Sequence, residues 1–291
     1  MKLKRVTAIA LSAGLMLGVA GCASTATPSA DPIVIGSQAY YSNEIIAEAY
    51  AQVLEDAGFS VERQFSLGQR DVYMPAIEAG EIDLFPEYTG NLLQYFVPEA
   101  TETTADDVYA ALSAALPAGL SALAMSPATD QDSYNVTEEF ATANKLTSIA
   151  DLATLKDLKL GGAPELAERP YGPKGLLEKY GVTVTFEATG DTTVDSLVAG
   201  QVSLANVYSA DPRISQLKLV TLSDPLGLFL ASNVVPIASD SVTADARALI
   251  DAVSAAMTPA DLVALNVRSV EEKLSASVIA RDWLVSKGLL K

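Results

Sequence analysis

The sequence contains no histidine, a single cysteine, one tryptophan, and only 19 lysines and arginines against 36 aspartates and glutamates. Without imidazole there is no Ser-His-Asp or Cys-His nucleophile system and no imidazole metal site. One cysteine excludes an internal disulfide and a thiolate metal cluster. Nothing in the residues calls for a cofactor or a metal. The formal net charge is −17, and a surface that anionic repels phosphate backbones, which argues against nucleic acid as a partner. What is present suffices for real cores: 49% of the residues are hydrophobic and 19% charged, over a length that fits one large domain or two modest ones.

Residues 1–22 begin with Lys2, Lys4 and Arg5, continue as an apolar run from Val6 to Ala20, and end in small residues at Cys22. This is the layout of a secretory signal, too short and too rich in Gly and Ala to span a membrane comfortably. Val19-Ala20-Gly21-Cys22 resembles a bacterial lipobox, in which Cys22 becomes lipidated. Ala23 to Asp31 reads as a small, polar, flexible tether. The expectation is a body held at the outer face of the cell membrane by a lipid anchor.

Beyond the tether, strands and helices alternate. Ile33–Ile35 reads as a buried strand, and Ile45, Ile46, Ala49, Val53, Leu54 and Ala57 recur at helical spacing before Gly58. A strand at 61–67, a helix at 69–79 and a strand at 82–85 follow. The order implies α/β architecture with a mainly parallel sheet. The run 58–88 repeats at 181–208, with a constant offset of 120 residues from its helix onward. Tyr88 then falls on Tyr208, each just past the carboxyl end of an equivalent strand, where open sheets bind ligands. Two such halves facing each other make a cleft suited to a small molecule. Crossings between the halves are expected near 120–132 and 225–236. Helices after the second, including 244–257 and 270–287, return to the first half, and Trp283 is expected in the core.

Eleven of the 19 aromatic residues are tyrosines. Rings enclosing a quaternary ammonium form a cation–π cage, each contributing roughly 0.5–2 kcal/mol when desolvated. Such a cation donates no N–H bond, so a pocket of carboxylates is a poorer match than rings. Tyr88, Tyr134 and Tyr208 lie in loop or turn contexts near strand ends or crossings. Tyr50 and Tyr180 read as packing. Arg169, in the turn-rich stretch Glu165–Gly172, either grips a carboxylate in bidentate fashion or pairs with Glu165 or Glu168.

Several motifs together resemble one family. They are Ile35–Tyr40 (IGSQAY), Glu78–Gly90 (EAGEIDLFPEYTG), Glu168–Gly172 (ERPYG), Ala205–Pro212 (ANVYSADP) and Asn233–Pro236 (NVVP). The chain resembles the substrate-binding proteins of ABC importers for glycine betaine, choline and related osmoprotectants. The resemblance implies a type II periplasmic-binding-protein fold, with 1–21 as signal peptide, 22–31 as tether, 32–130 and 233–291 as one lobe and 131–232 as the other. It implies Tyr88, Tyr134 and Tyr208 as cage rings, Arg169 on a betaine carboxylate, and Gln38, Tyr40, Asn91 and Asn233 about the pocket. Many members carry a further tyrosine where this sequence has Ser232, which leaves the cage incomplete or closed by another ring such as Phe229 or Tyr40. The implied partners are a quaternary ammonium solute, an ABC permease and its ATPase, with the binding protein a monomer and not an enzyme. Two other readings stand beside it. One is the same fold taking an amino acid or polyamine. The other is a surface-anchored glycosidase-type hydrolase using Glu81, Asp83 and Glu87.

Overall fold

The computed structural model describes residues 31–290. The expected signal segment, Cys22 and nearly all of the tether lie outside the described residues. Ten strands occur among those described: β1 (Ile33–Gly36), β2 (Val61–Gln64), β3 (Leu84–Tyr88), β4 (Leu120–Ala122), β5 (Asp132–Val136), β6 (Leu158–Gly162), β7 (Val184–Ala188), β8 (Leu204–Tyr208), β9 (Val220–Thr221) and β10 (Val234–Ser239). They form two sheets, ordered β2-β1-β3-β10-β4 and β7-β6-β8-β5-β9. In each, three parallel strands meet one that runs against them, and that strand pairs antiparallel with the edge strand beyond. The sheets are therefore mixed, because β5 and β10 enter after the crossings and run back against β8 and β3.

The repeat read from sequence corresponds to this symmetry. β3 and β8 are the central strands of their sheets and are offset by 120 residues from first to last. The helices before them, Arg70–Glu78 and Thr193–Val198, occupy matching places. β3 begins two residues later than expected and runs on to Tyr88, since Asp83 turns back to cap the strand edge: its carboxylate accepts from the Val34 N–H at 2.9 Å and from the Ser239 hydroxyl at 3.0 Å.

The first sheet is covered by the helix Tyr41–Asp56, which buries Ile45, Ile46, Ala49, Tyr50, Val53 and Leu54. Each large aliphatic side chain removed from water contributes roughly 1.5–3 kcal/mol. The helix ends at Ala57, and Gly58 follows at φ 90°, the left-handed turn that glycine makes without a Cβ clash. The helices Ala244–Ala256, Pro259–Val270 and Ala276–Ser286 return to the same core, which holds Trp283. A separate core under the second sheet contains Tyr134, Leu158, Leu160, Leu204 and Phe229.

Candidate functional site

The carboxyl ends of β3 and β8 face one cavity, lined by residues of both halves. Space free of protein atoms there measures about 490 Å³, open solvent at the mouth included.

Four tyrosines line it: Tyr40, Tyr88, Tyr171 and Tyr208. Tyr40 precedes the helix Tyr41–Asp56 in extended conformation, at φ −147°, which throws its ring off the helix axis. Tyr88 ends β3 and precedes the helix Thr89–Phe96. Tyr208 ends β8, and Tyr171 sits in the turn before the helix Pro173–Tyr180. The Tyr40 and Tyr208 rings meet across the cleft with centroids 5.2 Å apart. Burial pushes the Tyr88 and Tyr208 hydroxyls well above their ordinary range, so both stay neutral donors. The Tyr88 Oη and Gln38 Nε2 atoms are buried and find no hydrogen-bond partner among the described residues.

Three carboxylates share the cavity with these rings, and two of them, Asp130 and Asp132, are buried. Asp132 begins β5 and stands opposite Tyr208 in the antiparallel register. Asp130 is two residues earlier, so both lie on one side of an extended segment. Asp130 is 2% exposed. It accepts from the Tyr40 hydroxyl at 3.2 Å and from the Ala210 N–H at 3.0 Å, which ties it to both halves. Burial pushes its carboxyl up to about 7. Burial raises Asp132 as well, and the Asn91 amide opposes this by donating to its Oδ2 at 2.6 Å. Asn91 also donates to the Tyr171 hydroxyl at 3.0 Å, a second bond across the cleft. The pocket therefore combines rings with acids. A carboxylate gives a quaternary cation no hydrogen bond, but it neutralises the charge, and a buried acid left unpaired is costly.

Arg169 lies at the rim, partly buried, and makes no ion pair among the described residues. Its pairing with Glu165 or Glu168 is absent there, and the guanidinium faces the cavity free.

Several expected residues take other roles. Tyr134 does not line the cavity: it is wholly buried under the second sheet, stacked edge-on against Phe229 at 5.1 Å, and its hydroxyl donates to the Tyr171 carbonyl at 2.5 Å. Tyr134 shares a face of β5 with Asp132 but stands two residues further from the cleft end of the strand, so its ring packs in the core while Asp132 reaches the cavity. Asn233 is also a correction, because its amide donates to the Ser126 carbonyl at 2.9 Å and stitches the two crossings together. Ser232 holds Asn91, donating to its Oδ1 at 2.6 Å. Phe229 is core, so Tyr40 is the ring that joins the cavity. Tyr171, Asp130, Asp132 and Arg70 escaped the sequence reading. The spacing Asp130-Gln-Asp132 at the start of a crossing was the available signal for the acids. The acids suggested for hydrolysis are dispersed: Glu81 is exposed, Asp83 caps a strand, and Glu87 is paired with Arg70 at 2.7 Å.

Residues 31–286 match the family described as the substrate binding domain of ABC-type glycine betaine transport systems. The chain belongs to that family. It is a binding protein and not an enzyme. It is similar to the glycine betaine-binding protein YehZ of Escherichia coli K12, 29% identical over 283 residues covering 90% of this chain and 93% of that one. The solved structure of ligand-free YehZ from the same organism covers 89% of this binding protein and 100% of its own chain, with a TM-score of 0.65 at 29% identity. The crystal structure of a glycine betaine/carnitine/choline ABC transporter gives a TM-score of 0.72 at 19% identity, covering 89% and 100% of the two chains, a likeness of fold. The architecture is that of the periplasmic binding proteins: two α/β lobes with a ligand cleft between them.

Proposed function

We propose that this binding protein captures a quaternary ammonium osmoprotectant, glycine betaine or a related betaine, and delivers it to an ABC permease driven by a cytoplasmic ATPase. Tyr40, Tyr88, Tyr171 and Tyr208 enclose the methylated nitrogen, and Arg169 takes the carboxylate, with Gln38 and Asn91 completing the wall. Cys22 carries the lipid that holds the protein, as a monomer, at the outer face of the membrane. One observation carries the reading: four tyrosine rings from both lobes and two buried carboxylates converge on a single cavity that has an unpaired guanidinium at its rim. A permanent cation answers the otherwise uncompensated acids, and the rings supply faces it can lie against.

The test is a thermal-shift titration of the protein lacking residues 1–22. Glycine betaine is expected to raise the melting temperature in proportion to the logarithm of its concentration above Kd. No shift with any betaine, beside a clear shift with an ordinary amino acid, refutes the proposal. The acids favour a second reading, choline, because Asp130, Asp132 and Glu165 face only one unpaired cation, Arg169. Choline binding tighter than betaine binding in the same titration selects it.

A further inference from the structure

Arg70 begins the helix Arg70–Glu78 and is only 6% exposed, yet it lines the cavity. Its guanidinium lies fork to fork on the wholly buried Glu87: Nε donates to Oε1 at 2.7 Å and Nη2 to Oε2 at 2.8 Å. Glu87 also accepts from the Tyr73 hydroxyl at 2.5 Å and from the Tyr88 N–H at 2.8 Å. Each carboxylate oxygen thus has two donors. Nη1 is left over, with no acceptor among the described residues, on a side chain that the pair holds in one orientation.

Arg169 approaches from the other lobe, in the loop after β6. The two cations act on one ring: burial pushes the Tyr171 hydroxyl up, and Arg169 and Arg70 both oppose that rise. Their charges differ in effect. Arg169 is unpaired, whereas Arg70 with Glu87 is neutral overall. Such a pair presents a directed N–H donor without the repulsion a second free cation would exert on an ammonium ligand.

We infer that Arg70 is a specificity-determining residue, whose free Nη1 edge closes with Arg169 on the solute's carboxylate as a clamp with one jaw on each lobe. The inference rests on the betaine reading above. It makes the carboxylate a bridge between lobes, and it separates solutes with an anionic end from those without one.

Calorimetric affinities for glycine betaine and choline test it in the wild type, in Arg70→Lys and in the double variant R70Q/E87Q. Lysine keeps the charge and loses the planar fork. The double variant removes both charges together, so neither is stranded in the interior. Both variants are expected to weaken glycine betaine about tenfold or more, the range for a hydrogen bond to a charged group, with choline changed less than about threefold. Equal losses for both ligands mean that Arg70 only supports Tyr88, and they overturn the inference; so does unchanged betaine affinity. A wild type that binds neither ligand overturns the function itself, a result the variants cannot imitate.

Discussion

Replacing Asp130 with Asn should stabilise the empty protein and impair it as a receptor. Asp130 is buried, and its carboxyl titrates near 7 where the ordinary value is 3.8. Because the folded-state value is raised, the folded form binds the proton more tightly than the unfolded chain does. Folding stability is therefore intact below about pH 4, declines as the pH rises from about 4 to about 7, and is flat above that. The difference of about three units corresponds to about 4 kcal/mol at pH 8, an upper figure for one buried group. The amide retains the shape: its oxygen can accept from the Ala210 N–H and its NH2 can donate to the Tyr40 oxygen. Urea melts of ligand-free wild type and variant at pH 5 and pH 8 isolate the effect, since other acids cancel in the difference. The variant's advantage should grow by a few kcal/mol from pH 5 to pH 8. A difference that stays constant between these pH values refutes the argument. At pH 8 the same variant should bind a quaternary cation at least tenfold more weakly, because a unit charge about 6 Å away attracts it by roughly 3 kcal/mol at an effective dielectric of 20.

Other changes separate the roles of neighbouring residues. Tyr88→Ala and Tyr208→Ala should each weaken ligand binding tenfold or more by calorimetry, and retained affinity in both refutes the cage. Arg169→Ala should reduce glycine betaine binding far more than choline binding; equal losses return it to a structural part. Tyr134→Leu should lower the melting temperature by removing the bond to the Tyr171 carbonyl, while the folded variant keeps its affinity within a few-fold. Gly90→Ala should cost about 1–3 kcal/mol in denaturant melts, because its Cβ would stand 2.7 Å from the Ala231 carbonyl oxygen, main chain that cannot swing aside.

The sequence carried the architecture well because its signals were local or repeated. Period-3.6 burial from Ile45 to Leu54 and the 120-residue offset between β3 and β8 both survive in the structure, and they placed Tyr88 and Tyr208 at one cavity. The rest of the site depends on contacts that no local pattern encodes. β5 is buried throughout, and Asp132 and Tyr134 share one face of it, so no periodicity could tell that the first reaches the cleft while the second, two residues deeper, packs in the core. Tyr171 stands inside a recognised motif, but its ring is held in the cleft by the Asn91 amide on its hydroxyl, a partner 80 residues away. Hydrogen-bonding chemistry alone favours rings over acids beside a cation that cannot donate to them, whereas long-range charge favours the acids that the cavity contains.

Tyr40 and Tyr88 stand on one lobe, Tyr171 and Tyr208 on the other, and Asn91 spans the join. Neither lobe alone owns a complete pocket, so the wall around a solute exists only where the two lobes meet. On the proposed function, a permease that rests on both lobes would read the join between them, without ever meeting the solute inside.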